Sequence, residues 1–140
     1  MLSNTNSIQV TTFDMNRLFA MIEQLRRSGF REMNNLEKLE EELARCDEVA
    51  PSEVDADVVT MHSRVRLQDE SSGQELECNL VFPEEADASA NKISIVAPLG
   101  TAILGYRVGD TVIWPMPHGE RRYKIVEIAY QPEAAGDFHL

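Results

Sequence analysis

Apolar side chains return every three or four residues over two stretches near the start of the chain. From Asp14 to about Ser28 they fall at Leu18, Met21, Ile22 and Leu25, and from about Glu32 to Glu48 at Met33, Leu36, Leu39 and Leu43. That period predicts two amphipathic helices. Ser7–Thr12 ahead of them is β-branched and polar, a short extended lead-in. Thr12 is placed to cap the first helix, Asp14 sits where its charge meets the positive end of the helix dipole, and Gly29 supplies the stop. Glu37, Lys38, Glu40, Glu41 and Glu42 cover much of the remaining surface of the second helix. With only Ser28–Arg31 between them, the two helices form an antiparallel hairpin. A helix of some fifteen residues reaches roughly 22 Å, so this arm is short.

The pattern changes at Pro51-Ser52-Glu53, which divides the chain into a hairpin over residues 1–50 and a second domain over residues 51–140. Asp57–Met61 and Arg64–Gln68 read as strand, Asp69–Gly73 as a turn, and Glu75–Phe82 as the returning strand. Pro83–Asn91 is an acidic, Ala/Ser-rich surface loop. Ile93–Val96 is a brief apolar run stopped by Pro98, and Gly100–Leu104 gives one or two helical turns ending at Gly105. Val108-Gly109-Asp110 turns into the strand Thr111–Trp114, Pro117–Glu120 is a hairpin connection, and Arg121–Gln131 is a long last strand. This order predicts an α+β fold, with a short helix covering one face of an antiparallel sheet.

The chain has 140 residues, 43% hydrophobic and 26% charged, enough for one core of ordinary size. Its 24 carboxylates against 13 Lys and Arg give a formal charge of −11. Autonomous binding to nucleic acid needs clustered cations, so it is not expected, and an anionic membrane surface is equally unsuited. The polar opening and the lack of any membrane-length apolar run predict a cytoplasmic protein. There the thiols of Cys46 and Cys78 are reduced. His62, His118 and His139 are scattered without metal-ligand spacing, and no nucleophile motif or phosphate loop is present, so no cofactor, metal or catalytic residue is expected. Oligomeric state has no signature in the sequence.

Ile93-Ser94-Ile95, Pro98-Leu99, Leu104-Gly105, Gly109-Asp110 and Val112, then the Pro117–Glu120 connection and the closing Val126-Glu127-Ile128 and Tyr130, together resemble the C-terminal domain of the bacterial Gre transcript-cleavage factors. Asp57–Met61, Ser63-Arg64-Val65 and Tyr130–Asp137 are similar to the Rnk family (regulators of nucleoside diphosphate kinase), Gre relatives with a shortened helical hairpin. The resemblance implies a coiled-coil-like hairpin followed by an FKBP-like antiparallel sheet domain. It also implies RNA polymerase as the partner, approached at the rim of the secondary channel. The positions matching the Gre docking segment are Val96, Ala97, Pro98 and Leu99. Val96-Ala97 in place of an acidic residue and a serine implies an apolar contact.

In cleavage factors of this kind two carboxylates at the hairpin tip help hold a catalytic magnesium ion, as suits a hard cation. The tip here, Gly29, Phe30, Arg31 and Glu32, offers Glu32 alone. Arg17, Arg26, Arg27 and Arg31 put positive charge on the first helix and tip. The expectation is therefore a non-catalytic transcription regulator that competes with Gre factors and has a regulatory link to nucleoside diphosphate kinase. Three alternatives stay open: a cleavage factor using Glu32 or Glu37, a module for another basic protein, and a peptidyl-prolyl isomerase. The last would need a pocket built from Phe82, Tyr106, Trp114 and Tyr123.

Overall fold

The computed structural model describes residues 8–116 and 119–140. Strand β1 (Gln9–Thr11) runs into helix α1 (Thr12–Arg27), and α2 (Met33–Arg45) returns antiparallel to it. The cap of α1 is Thr11 rather than Thr12: its hydroxyl accepts the N–H of Asp14 at 3.0 Å. At the other end Gly29 adopts φ +77°, and the N–H groups of Gly29 and Phe30 close back on the carbonyls of Arg26 and Leu25. This pairing satisfies the free carbonyls of the last helical turn and requires a left-handed residue, which glycine supplies.

The second helix ends sooner than its charge pattern suggests. Asp47–Val49 forms strand β2, which pairs in parallel with β1 in the register Gln9↔Asp47 and Thr11↔Val49. The two ends of the hairpin are thereby joined at its base. Leu18, Ile22, Leu36, Leu39 and Leu43 are buried along the hairpin. Each such side chain contributes about 2 kcal/mol when removed from water. Helices of 16 and 13 residues are marginal by themselves, so this seam rather than intrinsic propensity holds them.

The main sheet has five strands in the order β5-β4-β3-β7-β6. They are β3 (Arg64–Asp69), β4 (Glu75–Val81), β5 (Lys92–Ser94), β6 (Thr111–Met116) and β7 (Gly119–Tyr130). The pairs β3–β4, β3–β7 and β6–β7 are antiparallel, whereas β4 and β5 run parallel. The sheet is thus mostly antiparallel, not wholly so. Asp57–Met61 is not a strand: Val58 makes an isolated bridge to Arg107, Val59 exchanges backbone hydrogen bonds with Gly105 and Tyr106, and the segment then turns at Met61 and His62, the latter at φ +67°. Its run of β-branched residues reflects burial, since Val58, Val59 and Met61 are inaccessible to solvent. The chain ends beyond β7 with a one-turn helix, α4 (Pro132–Ala135). Part of the expected connection, Pro117 and His118, lies outside the described residues, as does the Trp114 side chain.

Helix α3 (Pro98–Ile103) covers the inner face of the sheet, and α2 packs beside it. Gly100 is what allows this approach: a Cβ there would lie 2.2 Å from the main-chain oxygen of Ser94. Gly105, at φ +84°, meets β1, with a Cβ position 2.7 Å from that of Ile8. Val10, Leu18, Leu36 and Leu43 of the hairpin belong to the same core cluster as Val59, Leu67, Ile95, Ile103 and Ile125 of the sheet domain.

Candidate functional site

The segment Val96–Leu99 is a corner between β5 and α3. Pro98 opens the helix, where its fixed φ and missing N–H are no handicap. The corner is tied down from both sides: Ala97 N–H donates to Ser94 O, and the Thr101 hydroxyl donates to Ile95 O at 2.7 Å. Of the four expected contact residues, Val96 and Leu99 turn inward, 5% and 2% exposed, and belong to the core. Ala97 is half-buried and Pro98 exposed, so an apolar contact at this corner falls to these two.

Beside the corner a cavity of about 540 Å³ separates α2, α3 and β6. It is lined by Asn35, Lys38 and Glu42 on one wall and by Pro98, Ala102, Tyr106 and Ile113 among others opposite. Of Phe82, Tyr106 and Tyr123, only Tyr106 lines it. The Tyr106 hydroxyl lies 3.4 Å from Glu42 Oε1.

At the hairpin tip Gly29, Arg31 and Glu32 are exposed and Phe30 is half-buried against the core. Glu32 precedes α2, and its carbonyl accepts from Asn35 and Leu36. Arg26 pairs across the hairpin with Glu40, and Arg27 with Glu23 at 3.0 Å, so part of the positive charge is internally compensated. Among the described residues no group of three or more His, Cys, Asp or Glu side chains is placed to hold a metal ion. Nor is any helix there long and apolar enough to cross a membrane. Cys46 and Cys78 are both free thiols.

A polar cluster at the base of the hairpin was not evident from sequence. Asp14, 1% exposed, accepts from Arg17 at 2.5 Å and from the main-chain N–H of Met61 at 3.2 Å. The Arg17 guanidinium lies over the rings of Phe13 and Phe82, 4.0 and 4.9 Å from their centroids. Glu133 of α4 accepts from Thr60 Oγ1 at 2.8 Å, and Thr60 in turn meets Ser63 Oγ at 2.9 Å. Burial pushes the Asp14 carboxyl above its ordinary value, against the pull of Arg17. Burial raises Glu133 as well, and the charge of Asp14 adds to the effect. Asp14 lies on the same helical stripe as Leu18 and Ile22, and that placement is the one sign of its burial in the sequence.

Residues 6–49 match the family described as Rnk N-terminus, and residues 54–130 match the C-terminal domain of the transcription elongation factors GreA/GreB. The chain is 37% identical over 135 residues to the regulator of nucleoside diphosphate kinase of Escherichia coli (strain K12), covering 96% of this chain and 97% of that protein. The chain belongs to the Rnk family. Its likeness to Gre factors is narrower in extent. Identity to transcription elongation factor GreA of Christiangramia forsetii is 35% over 100 residues, 71% of this chain but only 63% of that protein. Among solved structures, the elongation factor GreA/GreB from Nitrosomonas europaea aligns with a TM-score of 0.74 at 42% identity, over 89% of this chain and all (100%) of that one. The fold, N-terminal helices followed by a mostly antiparallel sheet, is therefore GreA/GreB-like.

Proposed function

We propose that this Rnk-family protein is a non-catalytic, Gre-related transcription regulator. Its sheet domain, FKBP-like in architecture, docks through Ala97 and Pro98 on RNA polymerase at the rim of the secondary channel, in the cytoplasm. Its hairpin occupies the entrance without delivering a metal-binding acid pair to the active centre, and so competes with Gre cleavage factors. Any effect on nucleoside diphosphate kinase is then regulatory. The observation that supports this most is the combination of a Gre-type domain with a short arm. The 16 residues of α1 span about 24 Å. Part of that length lies against the sheet domain, and the tip carries Glu32 as its single carboxylate.

The test is competition between the purified protein and a labelled Gre factor for core polymerase. Displacement at micromolar concentration is expected, and halted elongation complexes with labelled RNA should show no shortening of the transcript. Failure to bind polymerase, or failure to displace the Gre factor, would end this reading. Transcript shortening that vanishes on Glu32→Ala or Glu37→Ala would replace it with an active cleavage factor.

A further inference from the structure

Strand β6 is an outer edge of the sheet, paired with β7 on one side alone. The N–H of Ile125 donates to the oxygen of Asp110, which fixes residues 110, 112 and 114 as those turned toward β7. Bonded and free positions alternate along such a pair, so the main-chain N–H and C=O groups of Thr111 and Ile113 point outward. Pro115 agrees with this phase, because a residue without an N–H is confined to strand positions that face away from the ladder. The cavity of about 540 Å³ opens onto this edge and is bordered by Thr111, Val112 and Ile113 in succession. Successive strand side chains point to opposite faces, so a cavity touching three in a row runs along the main chain rather than over one face. Its far wall is α2. There the carboxylate of Glu42 is already engaged, by Arg45 Nη2 at 2.8 and 2.9 Å and by the Tyr106 hydroxyl at 3.4 Å. Lys38, one turn earlier, is exposed and makes no ion pair among the described residues. In a chain of formal charge −11, the one unneutralised charge on this wall is positive.

We propose that the groove between β6 and α2 takes an extended segment of a partner protein as an added edge strand. The side chains that this segment turns inward are an aliphatic anchor and, two residues away, a carboxylate. Main-chain exchange with Thr111 and Ile113 supplies the attraction common to any extended peptide, and the inward side chains supply the selection. The anchor lies against Ala102 and Val112, and the carboxylate meets Lys38. The cavity volume is in the range of sites that enclose a ligand, and its apolar floor with one charged wall is the lining such sites have. Pro115 keeps the added strand short, since beyond Ile113 the edge offers no further N–H until after residue 115. The groove borders the corner at Pro98, but this proposal does not rest on the docking of that corner to polymerase.

The test uses the purified full-length chain and a fluorescein-labelled hexapeptide in which threonines alternate with valine, glutamate and valine. Fluorescence anisotropy should show saturable binding, and in nitrogen-15 spectra the amides of Thr111 and Ile113 should shift together with those of Asn35 and Lys38. A peptide with lysine in place of the glutamate should bind about tenfold more weakly. Methylating the peptide nitrogens that face β6 should abolish binding, because the added strand then has no N–H to donate. Lys38→Glu, at an exposed position, should reverse the preference between the two peptides. Ile113→Pro removes an outward N–H and should weaken binding with little change in the thermal melt. No saturable binding of the glutamate peptide, equal binding of its methylated form, or an unchanged preference in Lys38→Glu would overturn the proposal. None of these readouts involves polymerase, so this proposal and the docking of the corner fail separately.

Discussion

Asp14 accepts the main-chain N–H of Met61 at 3.2 Å, and this bond ties the first turn of the hairpin to the sheet domain. Replacing Asp14 by Ala leaves that buried N–H without an acceptor and strands Arg17 against the Phe82 ring. The loss should be about 3 kcal/mol. Asp14→Asn keeps one acceptor for the Met61 N–H but turns an amide NH2 toward Arg17, so its loss should be smaller than that of Ala, about 1–2 kcal/mol. Urea denaturation at pH 7 measures both. Equal losses would mean that the charge, not the acceptor, makes the joint.

The raised carboxyl of Glu133 gives stability an unusual pH dependence. Burial is the main cause, and the ordinary value is 4.5. A group raised by folding favours the protonated native state, so its contribution is complete below the ordinary value and is lost as pH rises through the folded one. Glu133→Gln removes this loss while still offering Thr60 an acceptor. The variant should approach wild type near pH 4 and exceed it near pH 7. Asp69 runs the opposite way. The N–H and hydroxyl of Ser71 hold it below its ordinary value of 3.8, helped by Arg121. Asp69→Asn should therefore equal wild type at strongly acid pH and fall below it as pH rises. Unfolding free energies across a pH series decide both signs.

Cys46 and Cys78 are each pushed up to about 11, chiefly by burial, with Glu48 and Asp47 acting on the first and Glu77 on the second. A thiol at that value is ionised in about one part per thousand at pH 8. Iodoacetamide should then modify the native protein at least tenfold more slowly than the urea-unfolded chain, as followed by mass spectrometry. Rapid labelling of either cysteine in the native state would show that its surroundings open readily.

The hairpin was legible because Leu18, Ile22, Leu36, Leu39 and Leu43 carry a clear period and Gly29 marks its turn. The same holds for Gly105 and for β3, β4, β6 and β7, whose alternation and turn residues are local signals. What escaped depends on partners far along the chain. Asp47–Val49 looks like one more turn of an acidic helix, and only its pairing with Gln9–Thr11 makes it a strand. Asp57–Met61 has the composition of a strand, but Val58–Met61 is buried in irregular structure that meets the hairpin at Asp14. The same limit applies to the candidate site. A resemblance assigns Val96–Leu99 as a block, yet a strand-to-helix corner sends alternate residues into the core. Asp14 reads as an ordinary helix-terminal charge until the Met61 amide is seen against it.

The corner also separates contact from packing in a way that mutagenesis can exploit. Ala97 is half-buried at the cap of α3 and is not among the core cluster residues, so Ala97→Arg adds bulk and charge there without replacing a core side chain. It should leave the unfolding midpoint nearly unchanged while weakening polymerase binding at least tenfold. Leu99→Arg places a charge where the native side chain is 2% exposed and should cost several kcal/mol, enough to unfold much of the protein. Binding assays on Ala97→Arg, run beside circular dichroism melts of both variants, separate the two effects. Undiminished affinity in a folded Ala97→Arg protein would move the docking surface off this corner, and the cavity wall formed by Asn35, Lys38 and Glu42 would be the next face to alter.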